Sequence, residues 1–145
     1  MKRLHSAGYL MNHIARQFAI LLNDGLKPLG ISPAQFPILL TLWEQDGLSQ
    51  QELVEIADLK QATIANTLSR MERDGLIVRQ DNPNDARSRL IFLSDTAKAL
   101  QTQATQIAQA INHEALSVLS PKEQTAFLAM MGKVVVQQKK MIDKN

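Results

Sequence analysis

The chain has 145 residues, 45% hydrophobic and 21% charged, with a net charge of +2. That composition suits one globular domain with one core and excludes a disordered chain. There is no apolar run long enough to span a bilayer, and the absence of cysteine excludes a disulfide framework, thiolate metal sites and thiol nucleophiles. The early basic pair Lys2-Arg3 is not followed by a short apolar core and a small-residue cleavage site, so no signal peptide is expected and the expected location is the cytoplasm.

Residues 6–28 are predicted to form a helix, with Leu10, Ile14, Phe18, Leu21 and Leu22 at spacings of three and four. Gly30 closes it. Ser32-Pro-Ala-Gln35 has the form of a helix start: a Ser cap, Pro at the first helical position and Gln three after the cap. Pro37 lies just inside, lacks an amide donor and predicts a distorted first turn. This helix carries Leu39, Leu40, Leu42 and Trp43 and stops at Asp46-Gly47. Ser49-Gln-Gln-Glu52 is a second capping box and opens a short helix ending near Ala57. After a turn over 58–61, a helix over 62–74 has the core stripe Ile64, Leu68 and Met71, and Gly75 ends it. Residues 76–79 and 90–93 are short runs of β formers separated by Asn, Pro and Asp, which predicts a hairpin with a long loop. Residues 95–119 form a long helix with Leu100, Ala104, Ile107, Ile111 and Leu116 on one stripe. Ser120-Pro-Lys-Glu123, a third capping box, starts a last helix carrying Phe127, Met131, Val134, Val135, Met141 and Ile142. There is no internal repeat.

The expected fold class is therefore mainly α with a small β-hairpin. A short helix, a tight turn, a second helix and a hairpin follow the plan of a winged helix-turn-helix over 32–94. Residues 1–31 and 95–145 supply a helical region. Residues 60–89 hold six basic and four acidic side chains, whereas the rest of the chain holds ten of each. All the excess positive charge sits in that segment, which suggests a polyanionic partner; the alternative, equally compatible with charge alone, is a solvated face that happens to be basic. Removing the core stripe from 61–73 leaves Gln61, Thr63, Asn66, Thr67, Ser69, Arg70 and Arg73, residue types that read base edges and phosphates. A solvated helix more often mixes Glu and Lys on its outer face. A hairpin directly after this helix is a wing. Its loop "NPNDARSR" carries Arg87 and Arg89, and an arginine at such a tip suits a narrow minor groove. Asp85, two residues before Arg87, is expected to hold the guanidinium extended through a bidentate pair. The alternative is a surface ion pair of about 0–1 kcal/mol with no partner.

The stretch "TIANTLSRMERDGLIVRQDNPNDARSRLIFLS" resembles the MarR family of bacterial transcription factors, and the resemblance extends over nearly the whole chain. Thr63-Ile64, Met71-Glu72, Gly75-Leu76-Ile77, Arg79, Asp85, Arg87, Ser88 and Leu93-Ser94 fill the places of its pattern. Leu26-Lys-Pro-Leu-Gly-Ile-Ser32 is similar to the SlyA branch. The resemblance implies Arg87 as a minor-groove finger with Asp85 as its orienting partner, and Gln61, Thr63, Thr67 and Arg70 facing the major groove. Ser49, Lys60 and Arg73 are expected on the DNA backbone, with Arg89 joining the wing contacts. Asn66 stands where many members carry Arg, and its amide suits an adenine. Ala97 stands where Gly is common.

The first helix and the last two carry apolar stripes that a lone winged helix cannot cover. Between Arg3 and Asp24 the only formally charged residue is Arg16, and a helix that uncharged is mostly buried. One long intramolecular bundle would cover these stripes. The resemblance implies instead a homodimer, which places two reading helices ~34–36 Å apart on a pseudo-palindromic site. It also implies a small aromatic acid as effector. For this, Arg16 is the candidate anchor and Phe36 and Trp43 the candidate walls. Alternatively Arg16 reaches solvent and both aromatics are core. His5, His13 and His113 lack metal-ligand spacing, and no catalytic or phosphate-loop motif is present, so neither an enzyme, a metal nor a cofactor is expected. The expected function is a DNA-binding repressor. The competing reading is a winged-helix module for protein–protein contact.

Overall fold

The computed structural model describes residues 1–145. In chain order it contains α1 (Ala7–Leu26), α2 (Phe36–Glu44), β1 (Leu48–Ser49), α3 (Gln50–Ala57), α4 (Gln61–Arg73), β2 (Ile77–Asp81), β3 (Arg89–Leu93), α5 (Asp95–Leu116) and α6 (Pro121–Asp143). Short 3-10 turns occupy Arg3–His5 and Lys27–Leu29. The result is a mainly helical chain with a three-stranded antiparallel sheet in the order β1-β3-β2. No helix is long and apolar enough to cross a membrane. The chain divides into two compact units, residues 1–108 and 109–145.

Local chemistry places the helix starts. Ser49 accepts from the Glu52 amide at 3.2 Å while Glu52 Oε1 accepts from the Ser49 amide at 3.2 Å. Ser120 and Glu123 repeat the pair at 3.1 and 2.9 Å. Each box satisfies two amides that the first turn leaves without partners. The start of α2 differs from expectation. Gln35 Oε1 accepts from the Ser32 amide at 3.1 Å, but the Ser32 side chain makes no cap and residues 33–35 form a turn. The regular helix begins at Phe36, which puts Pro37 in its first turn, where a missing amide leaves no bond unmade.

In the first unit the core is built from Leu26, Ile31, Phe36, Ile38, Leu39, Leu42, Leu48, Leu53, Ile64, Leu68, Met71, Ile77, Ile91 and Leu93, with Ala97 and Ala104 from α5. A Leu or Ile buried to this degree stabilises by about 1.5–3 kcal/mol relative to exposure. On β3, Ile91 and Leu93 face this core and alternate with half-buried Leu90 and Phe92, which sets the register Ile77↔Leu93 and Arg79↔Ile91. β1 is too short to be visible as a strand run in the sequence. It pairs Leu48 with Ile91 and Ser49 with Leu90. Asp46 Oδ1 then accepts from the Leu93 amide at 2.9 Å, satisfying β3 where β1 has no residue left to pair. Trp43 Nε1 donates to the Ala97 carbonyl at 3.1 Å and ties α2 to the start of α5. In the second unit, Gln124 Nε2 donates to the carbonyls of Leu116 and Leu119 at 2.9 and 3.1 Å, closing the turn before α6.

Candidate nucleic-acid interface

The helix α4 turns one face inward and leaves the other to solvent. Ile64, Leu68 and Met71 are buried, as the apolar spacing predicts. Thr67, expected among the reading residues, lies with them at 5% exposure. It falls three after Ile64 and four before Met71, so it shares their stripe. Its hydroxyl is already used, donating to the Thr63 carbonyl at 2.8 Å. Gln61, Thr63, Asn66 and Arg70 are exposed. The most outward line runs through Ala62, Asn66, Ser69 and Arg73, at spacings of four, three and four. Ala62 was therefore missed as a member of this face. It is apolar, and only its phase on the helix gives it away. Lys60, exposed, precedes α4 as its cap residue, and no side chain caps that end.

Acidic side chains at the far end of α4 are occupied. Glu72 pairs with Arg79 Nε of β2 at 3.4 Å. Asp74 Oδ1 accepts from Arg73 Nε at 3.0 Å and its Oδ2 from Gln35 Nε2 at 3.2 Å. The Arg73 hydrogen bond is the largest influence on the Asp74 carboxyl; burial opposes it, and the smaller contributions of the Gln35 bond and the Arg73 charge help to hold the carboxyl below the usual carboxylate range.

The wing loop is ordered by its own polar side chains. Asn82 Oδ1 accepts from the Asn84 amide at 3.0 Å and Asn82 Nδ2 donates to Ser88 Oγ at 3.0 Å. Asp85 Oδ1 accepts from the Arg87 amide at 2.9 Å and from Arg87 Nε at 3.5 Å. One carboxylate oxygen thus serves both donors, in place of the expected bidentate pair, because the backbone amide two residues on lies closer than the guanidinium. The Arg87 side chain is 93% exposed. Arg89 turns back on the strands instead, with Nη2 donating to the Arg79 carbonyl at 3.3 Å and Nε at 3.9 Å from Asp81. A cleft of about 650 Å³ lies between the start of α3 and the wing, lined among others by Ser49, Gln50, Gln61, Arg79, Asn82 and Arg87. Ser49 is buried at its rim as the α3 cap.

The three effector candidates are placed as follows. Arg16 is exposed on α1, and its Nη2 lies 3.4 Å from His13 Nδ1, whose ring stacks on Tyr9. Phe36 is buried and meets half-buried Trp43 edge to face, with ring centroids 6.2 Å apart. Both rings are thus packed as core.

Residues 31–88 match the model of the MarR family. Over 134 residues the chain is 28% identical to the transcriptional regulator HosA of Escherichia coli O111:H-, spanning 92% of this chain and 95% of that one. It is 32% identical over 107 residues to the organic hydroperoxide resistance transcriptional regulator of Bacillus subtilis, spanning 74% of this chain and 73% of the relative. Among solved structures, a mutant MarR from E. coli complexed with operator DNA matches with a TM-score of 0.82 and 27% identity, over 88% of this chain and 91% of that chain. Relatives of this kind are named as regulators, not as enzymes. With its winged helix, and with sequence likeness over most of the length of these relatives, the chain belongs to the MarR family of transcriptional regulators.

Proposed function

We propose that the chain binds duplex DNA as a homodimer on a pseudo-palindromic operator and acts as a repressor. In this reading residues 32–94 contact DNA, and residues 1–31 with 95–145 form the dimer. The observation that carries it is the pairing, within one unit, of an exposed polar α4 face and an Arg87 guanidinium held outward beside it. The MarR relative in complex with operator DNA supports the same reading. Gln61, Thr63, Asn66 and Arg70 enter the major groove, with Thr67 shaping the helix from beneath. Asp85 orients Arg87 towards the minor groove. Arg89 braces the wing, and Ser49, Lys60 and Arg73 approach phosphates.

Selection of bound duplexes from a random pool, followed by titration at rising salt, tests the reading. Affinity should fall steeply with salt, with a log–log slope of about −0.9 for each phosphate neutralised. Arg87→Ala should weaken operator binding by about tenfold, ~1.4 kcal/mol. Salt-independent binding to a protein target and none to DNA would favour the protein–protein module instead. A small aromatic acid is the effector class proposed, with Arg16 as the candidate anchor on an otherwise uncharged stretch of α1 and the core-packed Phe36 and Trp43 as the candidate walls. The ligand lowers DNA affinity by favouring a dimer geometry that no longer matches the half-site spacing. Placement in the SlyA-like branch rests on residues 26–32.

A further inference from the structure

Arg73 lies on the most outward line of α4, yet it is not left to sample its rotamers. Its Nε donates to Asp74 Oδ1 at 3.0 Å, and Asp74 Oδ2 accepts at 3.2 Å from Gln35 Nε2, 39 residues earlier in the chain. Gln35 is 5% exposed. Its Oε1 accepts from the Ser32 amide at 3.1 Å, so its amide has one permitted orientation and presents its NH2 end to Asp74. The donor–acceptor sense is fixed at every link: Ser32 amide to Gln35, Gln35 to Asp74, Arg73 to Asp74. The Asp74 amide itself donates to the Arg70 carbonyl, which holds the carboxylate at the helix end. The chain of bonds runs from the buried start of α2 to a guanidinium whose side chain is 71% exposed.

We infer that Gln35 and Asp74 are positioning residues that hold Arg73 in the attitude in which it meets a DNA phosphate. This rests on the DNA-binding reading given above. An arginine ordered before contact loses less side-chain freedom when it binds. The sign of the effect separates positioning from simple electrostatics. Asp74 is an anion beside a proposed phosphate path, so Coulomb interaction alone predicts tighter DNA binding when its charge is removed. Positioning predicts weaker binding.

The experiment measures affinity of the full chain for a duplex enriched by that chain from a random-sequence pool, across a salt series, with thermal melts of each variant. Asp74→Asn keeps the shape of an exposed side chain but sets an NH2 against either Arg73 or Gln35. It should weaken binding about 3–10-fold and reduce the magnitude of the salt slope by about one phosphate, as Arg73→Ala does. In the Arg73→Ala background the same substitution should cause no further loss. Gln35→Met should reproduce the reduced slope, and because Gln35 is buried its melt identifies any loss due to unfolding. Equal or tighter binding by Asp74→Asn overturns the inference while leaving the DNA reading intact. Equal losses from Asp74→Asn with and without Arg73 overturn it too. Failure of the wild-type chain to bind any duplex in a salt-dependent way ends both.

Discussion

At the scale of single residues, the winged unit is held by side chains that each satisfy one particular demand of the backbone. Gly47 has φ +75°, and a Cβ built there would lie 2.7 Å from Cε1 of Phe92. Two costs therefore add for any side chain at this position: the left-handed backbone and the clash with a ring packed on β3. Gly47→Ala should lower stability by about 2–4 kcal/mol, read as a shift in the urea midpoint with unchanged slope; an unchanged midpoint would mean that the Phe92 ring moves aside freely. Gly75, at φ +75° with nothing near its missing Cβ, meets only the first of these costs. Residue by residue, the exposed polar face of α4 was largely legible in the sequence. Gln61, Thr63, Asn66 and Arg70 are exposed as their polarity suggests. Thr67 was not legible from polarity, because a hydroxyl that bonds its own helix four residues back can be buried without loss.

At the scale of elements, two of the three Ser-led helix starts followed directly from local pattern, and the one at Ser32 did not. Ser49 and Ser120 both cap as their boxes predict, since every partner lies within three residues. The Ser120 amide, first, and its hydroxyl, second, hold the Glu123 carboxyl below the usual carboxylate range. A carboxyl lowered in the folded state contributes stability that is present above its unfolded value, about 4.3, and is lost as pH falls through the lowered one. Amide exchange in the first turn of α6 should therefore accelerate as pH falls below about 4 beyond the intrinsic chemical rate. Ser120→Ala keeps the backbone amide, the larger influence, so it should weaken that pH dependence and cost about 1 kcal/mol of helix stability, whereas Glu123→Gln should abolish the dependence. A first turn with equal protection in the variant would remove the capping box from the stability of α6. By contrast, the strand β1 was illegible. Two residues carry no periodicity, and their pairing with Ile91 and Leu90 depends on chain that follows more than 40 positions later.

At the scale of the whole molecule, apolar surface remains uncovered within a single copy. On α6, Leu128, Val135 and Ile142 repeat every seven residues and are 55%, 59% and 71% exposed, with Met131 and Val134 exposed beside them. On α1, Leu10, Ile14 and Leu21 are exposed as well. The low charge of α1 predicted burial, and in one copy these side chains are not buried. The proposed second copy would cover them. Val135→Glu would place a charge in that interface, where it is costly without a partner. Light scattering should then report a monomer, with operator affinity reduced by at least about a hundredfold because the two half-sites are no longer bound together. A Val135→Glu dimer with undiminished operator affinity would exclude this α6 face from the interface.

Some features of this protein needed only the sequence. The order of its helices, the capping boxes at Ser49 and Ser120, the hairpin and the basic segment all depend on residues within a turn or two of one another, where hydrogen-bond partners and apolar spacing are written side by side. Tertiary structure alone decided the rest. It brought Asp46 to the end of β3 and joined Gln35 to Asp74 across 39 positions. It also turned Arg89 back to the strands while Arg87 stayed out in solvent. The reason is common to all three. A polar side chain can satisfy itself equally well in water, on its own backbone or on a distant neighbour. Which of these it takes depends on packing that no short stretch of sequence contains.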